Sequence, residues 1–215
     1  MARYICAALV ALGTITTAHA EGAFGLKAST LGLGVEGVYH VSERWSLRGG
    51  INAFGYEFDD EVDGVAYDGD LDLANLSVVA DFRPFRGGLR LSAGAVYNDN
   101  EIAAVADPDA TYTIGNMTYT QAEVGVLAAD VAIDGVAPYV GIGYDIALGD
   151  DWRLTFDLGA VFQGAPEPVL TSTGGLLSDN PQFQDDLAVE QQNFEDDLDE
   201  FDVYPVVAIG LALAF

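Results

Sequence analysis

The chain has 215 residues, half of them hydrophobic, with 8 Lys plus Arg against 34 Asp plus Glu and a formal net charge of −26. So few basic side chains exclude a basic nucleic-acid-binding face, and the abundance of aromatic and β-branched residues argues against an acidic disordered chain. The one cysteine, Cys6, lies in the leader described next, so the mature chain carries neither a disulfide nor thiol chemistry.

The N-terminus has a short basic region with Arg3, an apolar run, and then Ala18-His19-Ala20, an A-x-A cleavage pattern. This predicts a secretory signal peptide over residues 1–20, with a mature domain over 21–215 starting at Glu21. The leader's apolar run is shorter than the ~20 residues a membrane anchor needs, and no later stretch reaches ~18 consecutive apolar residues. The remaining route into a membrane is a closed β-barrel.

Period-two alternation recurs through the mature chain and predicts strands over 31–41, 45–58, 71–83, 89–103, 127–147, 152–164 and 204–215. In the strand from Trp152, one face is Trp152, Leu154, Phe156 and Leu158, and the other is Arg153, Thr155, Asp157 and Gly159. An eighth strand is predicted over Gly22–Ser29, where Phe24 and Leu26 are out of phase with Leu31 and Leu33, so a tight turn or a bulge falls near Ser29-Thr30. A hairpin at Asp134-Gly135 is the alternative source of an eighth strand.

Alternation alone also suits a soluble sandwich, whose apolar face would point into a core. Three features favour the barrel. The second phase carries Gly, Ser and Ala with isolated charges of both signs: Glu36, Arg48, Asp81, Arg90, Asp145, Arg153 and Asp157. These are expected to pair in the lumen, Glu36 with Arg48, Asp81 with Arg90, and Asp145 and Asp157 with Arg153. The aromatics Tyr39, Trp45, Phe82, Tyr144, Trp152 and Phe215 lie on the apolar phase beside short turns or the C-terminus, as in a membrane-interface girdle. Short connections at 42–44, 83–88 and 148–151 alternate strictly with long polar ones at 59–70, 98–123 and 164–203, the pattern of periplasmic turns and outer loops.

The last long connection holds a helix. Asp179 or Asn180 can cap it, Pro181 suits its first turn, and Phe183, Leu187, Phe194, Leu198 and Phe201 recur at helical spacing. It is acidic throughout, an insertion over about 178–203, and its apolar stripe is expected to pack on loops or the barrel rim, or to bind a partner. The predicted fold is all-β: an eight-stranded antiparallel transmembrane up-and-down barrel with this short acidic helix in the last long loop.

The leader, "APYVGIGYD", "WRLTFDLGAVFQG" and "YPVVAIGLALAF" resemble the small eight-stranded outer-membrane β-barrels of Gram-negative bacteria, a group with OmpA-, OmpX- and OmpW-like members. The chain is also similar to a proteobacterial branch with the same "YPVV" strand after an acidic helical segment. The resemblance implies an outer-membrane location and a terminal assembly signal at Ile209, Leu211, Leu213 and Phe215. As partners it implies outer-membrane lipid and lipopolysaccharide and the barrel-assembly machinery. No cofactor and no nucleic acid are expected, and the chain is expected to be a monomer.

Candidate sites are few. His40 with Ser42 resembles the H-x-S pair of a lipid A deacylating barrel enzyme; a nucleophilic serine also needs an acid to orient its base, for which Glu43 is the neighbour in sequence, and the rest of that signature is missing. Asp59, Glu61, Asp63, Gly64 and Asp70 stand at the offsets of a calcium loop, with Asp in place of the final Glu. Diffuse divalent bridging between acidic loops and lipopolysaccharide phosphates is the plainer expectation. Glycines at 32, 34, 94, 141, 143, 159 and 210 leave room for a narrow channel, although an eight-stranded lumen is ordinarily filled by side chains. The leading expectation is a non-enzymatic barrel with a structural or surface-interaction role. A narrow porin-like channel is the alternative, and a lipid-modifying barrel enzyme the third.

Overall fold

The computed structural model describes residues 22–62, 65–85, 87–106, 111–115, 117–198 and 201–215, with backbone alone at 60–62 and 65–66. The signal peptide, its cleavage site and Glu21 lie outside the described residues.

Eight strands close into a barrel: β1 (Gly22–Ser29), β2 (Gly32–His40), β3 (Trp45–Val62), β4 (Val65–Phe82), β5 (Leu89–Ala106), β8 (Gly125–Leu148), β9 (Trp152–Phe162) and β11 (Val203–Ala214). Each pairs antiparallel with its barrel neighbours; β1 pairs with β11 and β8 with β9, so no edge is left around the ring. The first and last strands meet at one rim, where Gly22 and Phe215 exchange backbone hydrogen bonds of 3.1 and 2.9 Å. The other elements are β6 (Thr111–Ile114), β7 (Met117–Thr120), β10 (Glu167–Gly174), α1 (Gln121–Val124) and α2 (Pro181–Leu198).

The apolar phase points outward. Leu26, Leu33, Leu47, Ile51, Val78, Ile142, Leu158 and Ile209 are all exposed. On β3 the outward face is uncharged from Trp45 to Gly55, the ~9–11 residues that a tilted strand uses to cross a bilayer. The out-of-phase N-terminus resolves as a tight turn: Ser29 pairs with Gly32 across Thr30-Leu31, and Gly32 takes φ +106°. That makes one short connection at the same end as the long ones, so short and long do not alternate strictly.

Three further expectations are corrected. The acidic segment 59–70 is a hairpin, because β3 and β4 stay in one register from Trp45↔Phe82 to Val62↔Val65. In it and beside it, Glu57, Asp59, Asp68, Asp70 and Asp72 occupy the outward phase, while Phe58, Tyr67 and Leu71 hold the inward one. Charge density hid an alternation that was present. The Asp134-Gly135 hairpin does not form, because β8 pairs with β5 without a break and Asn98 opposes Gly135. The segment 98–123 is largely structured: β5 runs on to Ala106, and the β6–β7 hairpin and α1 follow.

Above Phe162 the wall changes. The chain breaks at 163–166, with Gly164 at φ +82°, and resumes along β8 as β10 with Glu167 opposite Ala132. β11 accompanies β9 only as far as Val203↔Phe162. At this end β3, β4, β5, β8 and β10 therefore stand higher than the rest. The β6–β7 hairpin, α1 and α2 fill their concave side as a cap.

Candidate functional site

The lumen is packed in two zones. Towards the short-turn rim, Arg48 meets Asp157 and Asp81 at 3.1 Å each and Glu36 at 3.5 Å, and Lys27 reaches Glu36 at 3.5 Å. Arg90 lies 2.7 Å from Asp157 and 3.9 Å from Asp81 and also pairs with Asp145, which Arg83 reaches at 3.0 Å. The network joins four cations, Lys27, Arg48, Arg83 and Arg90, to four carboxylates, Glu36, Asp81, Asp145 and Asp157, so its formal charge is zero. Beyond it, Leu31, Val79, Val96, Ala137, Tyr139, Val161 and Val206 form an apolar plug. Asn52, Asn75 and Asn98 stand in one row across β3, β4 and β5 beside it.

Of the seven charges expected inside, six join this network, and Glu36 pairs with Arg48 and Asp81 with Arg90 as expected. Arg153 does not. It is half-buried at the rim and makes no ion pair among the described residues, and Arg48 and Arg90 hold the acids assigned to it. Sequence adjacency suggested Arg153 for Asp157, but the two are separated along β9 and the barrel brings β3 and β5 across to Asp157 instead. Lys27 and Arg83 were missed. Lys27 has the lumen phase of β1, a readable signal, whereas Arg83 sits just past β4 where phase says nothing.

Three of the seven glycines leave no free space in the lumen. A side chain at Gly143 would collide with the Arg90 guanidinium, and one at Gly141 or Gly159 with the Tyr139 ring. These positions are small because Arg90 and Tyr139 fill the space they leave. The lumen pocket between Lys27, Arg48, Tyr139 and Asp157 has a volume of about 30 Å³, room for a water or two.

The six girdle aromatics all point outward at the short-turn end. Trp45 meets Phe82 in a tilted contact at 4.8 Å, and Phe215 stacks against Phe24 at 5.5 Å. On β11, Ile209, Leu211 and Leu213 face out, as does Phe215 just past its end, while Ala208, Gly210 and Ala212 face in. His40 sits opposite Ser46, and the Ser42 hydroxyl accepts from the Trp45 amide at 3.1 Å, closing the 41–44 turn. Of the calcium candidates, Asp63 and the Glu61 side chain lie outside the description; Asp59 and Asp70 face outward on adjacent strands, with Asp59 opposite Asp68 and Glu57 opposite Asp70. No cluster of metal-ligating side chains occurs among the described residues. Asp72↔Glu101 and Asp99↔Asp134 extend the row of opposed carboxylates over β3, β4, β5 and β8.

The cap has a separate core. Phe183 and Leu187 of α2 pack with Ala106, Tyr112, Ile114, Tyr119 and Val124, and the Phe183 ring meets Tyr119 edge-on at 5.0 Å. Asn180 caps α2, its Oδ1 accepting from the Gln182 and Phe183 amides at 2.9 and 3.3 Å. Three α2 side chains moor the helix: Asp186 accepts from the Tyr119 hydroxyl at 2.5 Å, Glu190 from the Gly115 amide at 2.9 Å, and Gln191 from the Leu170 amide at 3.2 Å. The Tyr119 hydroxyl is held above its ordinary pKa by that bond to a carboxylate. Glu123 accepts from the Thr120 amide and hydroxyl, which lower its carboxyl below the usual range.

Between cap and wall lies a cavity of about 520 Å³, reached by Phe58, Tyr67, Leu127, Leu170, Leu187 and Phe194 among others. Glu190 and Asp197 are its charged lining residues. Sequence reasoning did not find it, since its walls come from β3, β4, β5, β6, β8, β10 and α2.

No family model matches the chain, and no curated protein matches it in sequence. Solved structures match in shape. The chain is similar to Acinetobacter baumannii CarO2 with a TM-score of 0.65 and 24% identity, over 91% of this chain and 98% of that one. It is similar to Acinetobacter baumannii CarO with a TM-score of 0.62 and 24% identity, over 90% and 97%. The fold is that of the small eight-stranded outer-membrane barrels.

Proposed function

We propose that this chain is a closed, non-enzymatic outer-membrane barrel of a Gram-negative bacterium, whose work is done by its outward cap and not by its lumen. The observation that carries this reading is the contrast between two pockets: about 30 Å³ beside Arg48 and Tyr139 in the lumen against about 520 Å³ beneath the cap. The uncharged band from Trp45 to Gly55 and the aromatic girdle support a bilayer around the barrel, with the short turns in the periplasm and the cap outside. In this reading the leader is cleaved after Ala20, and Ile209, Leu211, Leu213 and Phe215 are read by the assembly machinery. The carboxylate row over β3, β4, β5 and β8 then lies just above the membrane, where divalent cations would bridge it to lipopolysaccharide phosphates.

Planar-bilayer recording on the refolded mature chain tests the reading, after a heat-modifiable gel shift has shown a folded barrel. Silence is expected. Discrete conductance steps that change with Arg48→Ala would overturn it in favour of a narrow channel.

A further inference from the structure

We propose that the cap cavity is a binding site for an organic ammonium ion carrying an apolar body. The inference rests on reading the cap as the working part of the molecule, and it names what the cap takes.

Size comes first. About 520 Å³ falls within the ~300–1,000 Å³ typical of small-molecule sites. The walls come next. Four aromatic side chains line the cavity, Phe58, Tyr67, Tyr112 and Phe194, and aromatic faces attract cations. The Phe58 ring is fixed: it lies over Gly69, its cross-strand partner, where any side chain would displace it.

Charge then decides the ligand's sign. Glu190 and Asp197 line the cavity. The segments that build the cap end, 54–75, 98–137 and 163–203, contain no Lys, Arg or His. An anion would meet two carboxylates with nothing to balance it. A wholly apolar ligand would press the half-buried Glu190 carboxylate against hydrocarbon, which is costly. An ammonium with an apolar body satisfies both the walls and the acids. Glu190 is also held in place, because its Oε2 accepts from the Gly115 amide at 2.9 Å.

The aromatic wall continues beyond the cavity. Phe54, Tyr56 and Phe58 stack along the inward phase of β3 at ring spacings of 6.4 and 6.5 Å. Phe54 and Tyr56 are 42% and 57% exposed, so this row is not core. It leads to Phe58, which the cavity shares.

The test is calorimetric titration of the full mature chain in nanodiscs, with empty nanodiscs subtracted. The probes are 4-phenylbutylammonium, 4-phenylbutanol and 4-phenylbutyrate, which share one skeleton, with methylammonium as the control for charge alone. One saturable site per chain is expected for 4-phenylbutylammonium, the butyrate binding at least tenfold more weakly and methylammonium showing no saturable site. Glu190→Gln combined with Asp197→Asn keeps an acceptor for Gly115 and should bring the ammonium down to the alcohol's affinity. Ala129→Trp fills the cavity from β8 and should abolish both. Equal binding of ammonium and butyrate, no saturable site, or undiminished binding by folded Ala129→Trp would each overturn the inference. A barrel that is silent in bilayers yet binds nothing sinks this inference alone, whereas conductance sinks the closed-barrel reading.

Discussion

Replacing Arg48 with Ala removes the hub of the lumen network. Arg48 is 6% exposed and faces three carboxylates within 3.5 Å. Its loss leaves three cations against four acids in the lumen, and Asp157 and Asp81 must rely on Arg90, Glu36 on Lys27. Breaking a buried pair by removing one partner costs about 3–5 kcal/mol, and the balanced network puts Arg48→Ala in that range. Arg153→Ala is the internal control, since Arg153 is half-buried and makes no ion pair among the described residues, and its cost should stay below about 1 kcal/mol. Arg48→Ala with Asp157→Asn restores three against three and should cost less than the two changes summed, by about 0.5–3 kcal/mol. Urea unfolding in lipid vesicles, followed by Trp45 and Trp152 fluorescence and by the gel shift, measures the wild type, the three single variants Arg48→Ala, Asp157→Asn and Arg153→Ala, and the double variant. If Arg48→Ala costs no more than Arg153→Ala, or if the double variant is simply additive, the network does not hold the barrel together.

The cap should fail separately from the barrel. Phe183→Ala, at a side chain 1% exposed in the cap core, should cost the cap about 3–5 kcal/mol and make α2 protease-sensitive while the gel shift persists; loss of both together would show a single cooperative unit. The cap's pH limits follow from two groups. The folded-state pKa of Glu123 lies below 4.5, so its contribution is present above that value and fades as pH falls through the lowered one. That of Tyr119 lies above 10.0, so its contribution is present below pH 10.0 and fades as pH rises through the raised one. Near-UV circular dichroism of the cap should be flat between these limits, and a transition centred near neutrality would contradict the assignment. Removing divalent cations with a chelator should lower the midpoint of unfolding in lipopolysaccharide-containing vesicles but not in neutral phospholipid; equal shifts in both would remove the bridging role given to the carboxylate row.

Much of the barrel is written in local pattern. Period-two alternation is a property of single strands, so β2, β3, β5, β9 and β11 can be located without knowing their partners, and so can the outward face of Ile209, Leu211, Leu213 and Phe215. The same phase assigns Glu36, Arg48, Asp81, Arg90, Asp145 and Asp157 to the lumen. The start of α2 was legible too, because Asn180, Pro181 and the 183/187 spacing are local signals. Only the tertiary structure decided who meets whom. Closure of the ring carries Arg48 of β3 to Asp157 of β9 and leaves Arg153 outside, because pairing across a lumen depends on shear and register between strands far apart in sequence. It also turned the acidic stretch at 59–70 into a hairpin, since Phe58 and Tyr67, on the inward phase at its two arms, face a cap that no local window contains. The cavity belongs to this second class. It exists where five tall strands, a hairpin and a helix enclose a space, and none of them shapes it alone.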